Sequence, residues 1–254
     1  MPLSLHHPVR AEPPLRRSAA WSAALALLAV IALALLLDRL LGLGPWLLPK
    51  ALAAYALVLT LFAFIPAHRP HRRLGPANQV TLLRGVLTAL LAGLIGEVAS
   101  PALAWTALAL ALLAAALDGV DGWLARRGGW ASPFGARFDM ETDALLVMAL
   151  ALLVWSWGKA GAWVLAAGLM RYAFVASAYV LPWMARPLPA SRRRQTACVV
   201  QLLTLTLALV PLLAPEMSAA IVATGLLILI YSFAVDVHWL ARHRGGGPST
   251  GGAR

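Results

Sequence analysis

Long apolar runs follow one another along most of this chain, separated by short segments in which prolines, glycines and arginines concentrate. A run of about 20 apolar residues is long enough to cross the hydrocarbon core of a membrane as a helix. Because backbone in lipid must satisfy its own hydrogen bonds, such a chain folds as a bundle of helices. The pattern predicts eight spans, covering residues 20–41, 47–65, 79–96, 101–125, 137–157, 161–181, 197–213 and 218–240.

Composition agrees with the pattern. The 254 residues are 61% hydrophobic and only 12% charged, whereas a soluble domain carries about 25% charged residues. We therefore expect an all-α integral membrane protein, with a six-helix transmembrane core preceded by an N-terminal two-helix transmembrane hairpin. The predicted divisions are a disordered basic N-terminus at 1–19, the hairpin at 20–65, a basic linker at 66–77, the core at 78–240 and a flexible tail at 241–254.

The net charge of +11 is distributed unevenly between the two predicted sides of the membrane. One side holds 17 of the 21 basic residues, and the other holds only Arg39, Lys50 and Lys159. By the positive-inside rule, both termini and the segment 118–143 face the cytoplasm, where the arginines also contact anionic lipids. Nucleic acid is excluded as a partner, because no base-stacking aromatic platform accompanies the arginines.

Four carboxylates stand at the facing ends of two otherwise apolar segments: Asp118, Asp121, Asp139 and Asp143. Each costs roughly 2.5–3.5 kcal/mol at the centre of a membrane helix, so a compensating partner is required. Spacings of three and four residues put each pair on one helical face, and the short connection makes the two helices neighbours. The four carboxylates therefore converge, and they suit a pair of divalent cations such as Mg²⁺ or Mn²⁺. The alternative is four separate helix caps or arginine partners.

Small residues and a cation follow Asp121 on the same helix. Gly122 and Ala125 lack bulk and would allow a diphosphate to approach the backbone closely, while Arg126 supplies a fixed positive charge for a phosphate oxygen. Two neighbouring metals beside such a surface are typical of phosphoryl transfer, in which they neutralise a diphosphate.

These residues form a pattern that resembles a known family. The run D118-x2-D121-G122-x2-A125-R126-x8-G135-x3-D139-x3-D143 is similar at every fixed position to the signature of the CDP-alcohol phosphotransferases (CDP-alcohol phosphatidyltransferases). The run N78-Q-V-T81-L-L-R84 resembles the element that opens the first core helix of that family. The resemblance covers about residues 74–240 and leaves the hairpin 20–65 outside.

The resemblance implies a role for each matching position. Asp118, Asp121 and Asp139 would hold two divalent cations, and Asp143 would act as general base while lying near a metal. The cytidine-diphosphate pocket would be lined by Gly122, Ala125, Arg126 and Gly135, with Asn78, Thr81 and Arg84 nearby.

The resemblance also implies the reaction and the setting. A homodimer would transfer a phosphatidyl group from CDP-diacylglycerol to a small polar alcohol, with or without a phosphate group, and release CMP. This reaction belongs to phospholipid biosynthesis, on the cytoplasmic side of a bacterial inner membrane.

The acceptor alcohol is not assigned by the motif. The run D139-M-E-T-D143 lacks the proline and the lysine that glycerol-3-phosphate-using members often carry, and Ala144 stands where inositol-type members usually carry arginine.

Arg171 is the other residue that bears on the acceptor, since a cation inside a span needs a partner. We expect Arg171, Arg137 and Arg193 to form a pocket that binds an anionic acceptor. The alternative is an ion pair with Glu141 or an aspartate. We expect the Glu141 side chain itself to face solvent, away from the aspartates.

Two other functions use the same residues. A divalent-cation transporter would hold its cargo on the four aspartates, but it gives Gly122 and Arg126 no task. A non-catalytic membrane scaffold would not need four intact aspartates.

Overall fold

A computed structural model describes residues 13–65 and 73–243 of the chain, and the described residues form helices joined by loops, without strands. The predicted N-terminal disorder at 1–12, the linker residues 66–72 and the tail residues 244–254 lie outside this description. The described residues form eight α-helices, as predicted: α1 (Pro13–Leu41), α2 (Leu47–Phe64), α3 (Pro76–Gly93), α4 (Pro101–Arg127), α5 (Pro133–Ser156), α6 (Ala166–Val180), α7 (Arg192–Ala208) and α8 (Pro215–Arg242). Short 3₁₀ turns precede and follow α6, at Ala162–Leu165 and Pro182–Ala185.

Serine and proline set the starts of α4 and α5. The hydroxyl oxygens of Ser100 and Ser132 accept hydrogen bonds from the backbone N–H groups of Leu103 and Gly135, at 3.2 and 3.0 Å. A proline follows each serine, and proline suits the first helical position, where its missing N–H has no helical partner. As a result α5 begins at 133, four residues before its apolar run.

Helix α3 is the centre of the bundle. It packs against α1, α2, α4 and α5, and thirteen of its eighteen residues are buried. Glycines allow the close approach to α2, because a Cβ added at Gly85 would lie 2.8 Å from Cγ1 of Val58. This position explains how α3 carries polar residues through an apolar bundle, since they face other helices rather than lipid.

Five segments of the described chain are long and apolar enough to cross a membrane. They are Arg17–Leu41, Leu47–Phe64, Pro101–Arg127, Ala162–Val180 and Pro215–Arg242. Large apolar side chains are exposed along them, including Leu25, Leu112 and Leu227, as expected of surfaces that face lipid. The other predicted spans correspond to α3, α5 and α7, which carry more polar residues. Their crossing of the membrane, and the division into a six-helix core and a hairpin, stay predictions.

Candidate active site

The candidate site lies where α4 ends and α5 begins. Residues 128–132 connect the two helices, but the expectation that the helices are neighbours is wrong, because α4 and α5 both pack against α3 and make little contact with each other. Asp118 and Asp121 stand in the second half of α4, and Asp139 and Asp143 in the first half of α5. Helix α3 supplies the third wall, as its Gly75 and Asn78 approach Trp130 and Gly135. We call this the aspartate end of the bundle.

The structure brings all four aspartates together around one guanidinium group, that of Arg84 in α3. Its Nη1 lies 2.8 Å from Oδ2 of Asp121 and 2.5 Å from Oδ1 of Asp139. Its Nη2 lies 2.9 Å from Oδ1 of Asp118 and also contacts Oδ1 of Asp143. The Arg84 side chain is fully buried, and its Nε has no hydrogen-bond partner among the described residues.

Thr81, one helical turn before Arg84, adds to this network. Its hydroxyl lies 3.0 Å from Oδ2 of Asp121 and 3.1 Å from the carbonyl oxygen of Ala77. Asp121 is 4% exposed, whereas the side chains of Asp118, Asp139 and Asp143 are 38 to 43% exposed. Three carboxylates are therefore open to a ligand from one side, and Asp121 anchors the cluster to α3.

The charge balance of this site suits additional cations. Four ionised carboxylates against one guanidinium leave three negative charges in a largely apolar bundle. Asp118, Asp121 and Asp139 each offer a carboxylate oxygen, and these oxygens lie within 4.8 Å of one another. All the donors are oxygens, which hard divalent cations prefer. The residues present fit a metal site of the predicted kind.

Two contacts link the residues predicted to line a nucleotide pocket. A Cβ added at Gly135 would lie 2.8 Å from Oδ1 of Asn78, and one added at Gly122 would lie 3.1 Å from Nη1 of Arg126. Glycine at these positions leaves room for the Asn78 amide between α3 and α5, and for the Arg126 guanidinium against α4. Ala125 is part-buried on the same helix. Nucleotide binding by these residues stays a prediction.

The three arginines predicted to bind an acceptor have carboxylate partners. Nη2 of Arg171 lies 2.5 Å from Oε1 of Glu141, and Nε of Arg137 lies 3.4 Å from the same oxygen. The alternative partner considered for Arg171 is thus the one observed. Arg193 instead pairs with Asp236 of α8, at 2.5 Å, so it is held by a different carboxylate from the one that holds Arg137 and Arg171.

The expectation that Glu141 faces solvent is wrong. Its side chain is only 13% exposed. Helix α6 packs against α5 and brings Arg171 to the carboxylate. A helical wheel of α5 alone does not reveal this neighbour.

A cavity of about 150 Å³ adjoins the aspartates. Asp118 and Asp143 form part of its wall, and side chains of α5, α6, α7 and α8 form the rest. Gln201 of α7 lines it and is 1% exposed, and neither its amide oxygen nor its amide nitrogen has a partner among the described residues. Sequence reasoning missed this residue, although a glutamine in the apolar run V199-V-Q-L-L203 is a detectable signal.

Comparison with known proteins gives one match. Residues 74–235 match the family model described as CDP-alcohol phosphatidyltransferase. This range begins two residues before α3 and ends within α8, so it contains every aspartate of the site. No curated protein and no solved structure matches the chain.

Proposed function

The chain belongs to the CDP-alcohol phosphatidyltransferase family, and from this premise we propose that it transfers a phosphatidyl group from CDP-diacylglycerol to a hydroxyl of a small polar alcohol. CMP is the second product. The observation that carries the proposal is the convergence of Asp118, Asp121, Asp139 and Asp143 beside a cavity. The site thereby offers an acidic surface for cations and a space for the acceptor.

The matched range supports a catalytic core that excludes α1 and α2. The family model begins at residue 74, two residues before α3. We infer a core of six helices, α3 to α8, with the α1–α2 hairpin as an addition on the α3 side. The core would act as a homodimer, in a bacterial inner membrane, with the aspartate end and both termini in the cytoplasm.

Each carboxylate has a task in this reaction. Asp118, Asp121 and Asp139 would hold two divalent cations, Mg²⁺ or Mn²⁺, which neutralise a bound diphosphate and make CMP a better leaving group. Asp143 lies on the cavity wall, outside the group of three closest carboxylates. It is therefore placed to accept a proton from an alcohol in the cavity.

The chemical step follows from this placement. The acceptor hydroxyl gives its proton to a carboxylate oxygen of Asp143, and its oxygen forms a bond to the phosphorus that carries diacylglycerol. The bond between that phosphorus and the bridging diphosphate oxygen breaks, and CMP leaves with the electron pair. Arg126, Asn78 and Gly135 would hold the cytidine diphosphate against α4 and α5 while this happens.

The test is CMP release by the purified protein with CDP-diacylglycerol, Mg²⁺ or Mn²⁺, and a panel of alcohols. A positioned general base contributes roughly 10²–10⁴-fold in rate, so Asp143→Asn should lower kcat at least about 100-fold while CDP-diacylglycerol still binds. Asp38→Asn in α1, outside the matched range, is the matched control and should leave kcat unchanged. Full activity of Asp143→Asn would show that Asp143 is not the base.

Substitution of Arg126 separates this proposal from a cation carrier. Arg126→Gln removes a phosphate contact and should raise KM for CDP-diacylglycerol. In a carrier it removes a charge that repels the cargo, so metal uptake into proteoliposomes would be kept or increased. Metal uptake without CMP release would show that the protein is a cation carrier and not a transferase. If metal uptake, CMP release and CDP-lipid binding are all absent, the non-catalytic scaffold is the function that remains.

A further inference from the structure

Helix α2 lies outside the residues that match the family model, yet it packs against two helices that carry the aspartate end. The matched range begins at residue 74, and α2 ends at Phe64. Helix α2 nevertheless contacts both α3 and α5. These contacts are therefore an addition to the family core, made by the α1–α2 hairpin.

Phe62, in the last turn of α2, packs against two phenylalanines at the start of α5. Its ring centroid lies 5.3 Å from that of Phe134 and 5.1 Å from that of Phe138, with the ring planes nearly perpendicular at 87° and 78°. Edge-to-face ring contacts of this kind are favourable beyond the burial of the rings. The three side chains are 9%, 2% and 1% exposed, respectively. The ring cluster is thus inside the protein, where it fixes the start of α5 relative to α2.

The two phenylalanines of α5 each precede a residue of the site by one position. Gly135 follows Phe134, and Asp139 follows Phe138. Because residues four apart share a helical face, Phe134 and Phe138 form one face of α5, and Gly135 and Asp139 form the adjacent one. The first face meets Phe62, and the second meets α3. A shift of α5 that opens the ring cluster would therefore also move Asp139 relative to α3.

Val58, one helical turn before Phe62, gives α2 a second contact point, on α3. A Cβ added at Gly85 would lie 2.8 Å from Cγ1 of Val58, so the two helices touch at the residue that follows Arg84. Nη1 of Arg84 in turn lies 2.5 Å from Oδ1 of Asp139. Helix α2 thus contacts α3 beside one member of this ion pair and α5 beside the other.

We propose that Phe62 is a positioning residue of the active site. It holds the first turns of α5 against α3 and so sets the distance of Asp139 from the two aspartates of α4 for cation binding. Phe62 is not itself a ligand and acts through Phe134 and Phe138. The proposal rests on the transferase function proposed above and gives the α1–α2 hairpin a task in it.

Loss of the Phe62 ring should weaken cation binding. Two edge-to-face contacts together favour the aligned helices by roughly tenfold or more, and the apparent affinity for a ligand falls with the population of the binding-competent arrangement. We therefore expect Phe62→Ala to raise the Kd for Mn²⁺ about tenfold relative to the wild type. EPR titration of the purified protein in detergent with Mn²⁺ alone measures this Kd without any turnover.

Two variants in the same helix separate positioning from a general loss of stability. Phe64→Ala removes a ring that is 80% exposed and should leave the Kd unchanged. Leu47→Ala removes a side chain that is 1% exposed and packs on α3 at the end away from the aspartates, where a Cβ added at Gly93 would lie 3.1 Å from its Cδ1. It should lower the unfolding temperature, as loss of a core side chain does, and leave the Kd unchanged. An equal rise of the Kd in Leu47→Ala and Phe62→Ala would overturn the proposal.

Two further substitutions of Phe62 keep this test decisive. Phe62→Leu retains apolar bulk without a ring and replaces Phe62→Ala if the latter fails to fold. Phe62→Met places a sulfur against the rings of α5, a favourable contact, and should bind Mn²⁺ more tightly than Phe62→Ala. A wild-type Kd in folded Phe62→Ala, or in Phe62→Leu in its place, would show that the ring does not position the site.

Failure of this inference differs from failure of the proposed function. CMP release that depends on Asp143, together with a wild-type Kd for Mn²⁺ in Phe62→Ala, keeps the transferase and removes the role of Phe62. No CMP release with any acceptor and no binding of CDP-diacylglycerol remove the transferase. A raised Kd in Phe62→Ala would then still show that α2 positions the cation site.

Discussion

Arg84 shows how one residue organises a site. A guanidinium group within a bundle of apolar helices is costly unless it is paired, and here it meets four carboxylates from two other helices. The interaction works in both directions, because Arg84 also reduces the repulsion among the four aspartates. The family resemblance places Arg84 near a nucleotide, and the structure shows in addition that it is the protein's own counter-charge for the aspartates.

We predict that Arg84→Met destabilises the protein by about 3–5 kcal/mol, the range found when one partner of a buried ion pair is removed. The variant leaves four carboxylates without a cation, so Mg²⁺ should raise its unfolding temperature more than that of the wild type. Thermal unfolding in detergent, with EDTA or with Mg²⁺, measures both effects.

Arg137→Met is the matched control, since the Arg137 side chain is 52% exposed and exposed pairs contribute about 1 kcal/mol or less. Equal unfolding temperatures of Arg84→Met and Arg137→Met in EDTA would contradict the prediction.

The sequence predicts those parts of the site in which the residues lie a few positions apart in one helix. Asp118 and Asp121 are three residues apart, and Asp139 and Asp143 are four apart, so each pair shares one helical face. The meeting of the two pairs depends on α3, because α4 and α5 both pack against α3 rather than against each other. Arg84 lies 34 residues before Asp118, and its contact depends on how α3 packs between other helices. The same reason hides the pairing of Glu141 with a residue of α6.

At the scale of elements, helix ends were less predictable than helix number. Apolar runs locate the eight helices, but polar first turns extend beyond those runs, as in α7, which starts at Arg192 rather than 197. In α5 the signals were present in the sequence, because Ser132 and Pro133 form a cap and a first turn. A start at 133 places Asp139 in the second turn, so it is not a helix cap and is available to the site.

At the end of the bundle opposite the aspartates, Glu97 lies in the loop between α3 and α4 and forms hydrogen bonds to residues near the ends of other helices. Its carboxylate accepts hydrogen bonds from Nζ of Lys50 at 2.7 Å and from the backbone N–H of Gly44 at 3.0 Å. Its carbonyl oxygen accepts one from Nε1 of Trp157 at 3.1 Å. Burial raises the pKa of the Glu97 carboxyl, but these hydrogen bonds and the charge of Lys50 outweigh burial, so that the pKa lies below its ordinary value of 4.5.

We predict that Glu97→Gln lowers the free energy of unfolding at neutral pH, by on the order of 1 kcal/mol. A depressed pKa stabilises the folded protein above the ordinary pKa, and this stabilisation is lost as the pH falls through the folded value. The difference between wild type and variant should therefore be constant near pH 7, and it should shrink and disappear as the pH falls below 4.5 and through the lower pKa of the folded protein. Unfolding measured across this range tests it, with exposed Glu216→Gln as control. A difference that persists at low pH would show that the charge of Glu97 is not its cause.

The cations around the α4–α5 connection are exposed, whereas the lysines at the other end of the molecule bind carboxylate or carbonyl oxygens of the protein. At the aspartate end, Arg126, Arg127 and Arg137 are exposed around the α4–α5 connection. At the other end, Lys50 pairs with Glu97, and Nζ of Lys159 lies 3.2 and 2.6 Å from the carbonyl oxygens of Val210 and Leu213. Cations fixed to the protein in this way close loops, whereas exposed arginines interact with anionic lipid and resist translocation. This contrast and the charge count are the grounds on which we propose that the aspartate end faces the cytoplasm.

We predict that a cysteine at the aspartate end is shielded from a membrane-impermeant maleimide in intact bacterial cells, while one at the other end is labelled. In a Cys198→Ala background, which removes the one native cysteine, exposed Ala131 and exposed Val98 offer matched loop positions. Val98→Cys should react in intact cells, and Ala131→Cys should react only after permeabilisation, because the proposed topology puts Ala131 on the cytoplasmic side, where CDP-linked donors would be available. If Ala131→Cys is labelled in intact cells and Val98→Cys is protected, the topology is the reverse of the proposed one. The aspartates would then lie on the side of the membrane away from the CDP-linked donor.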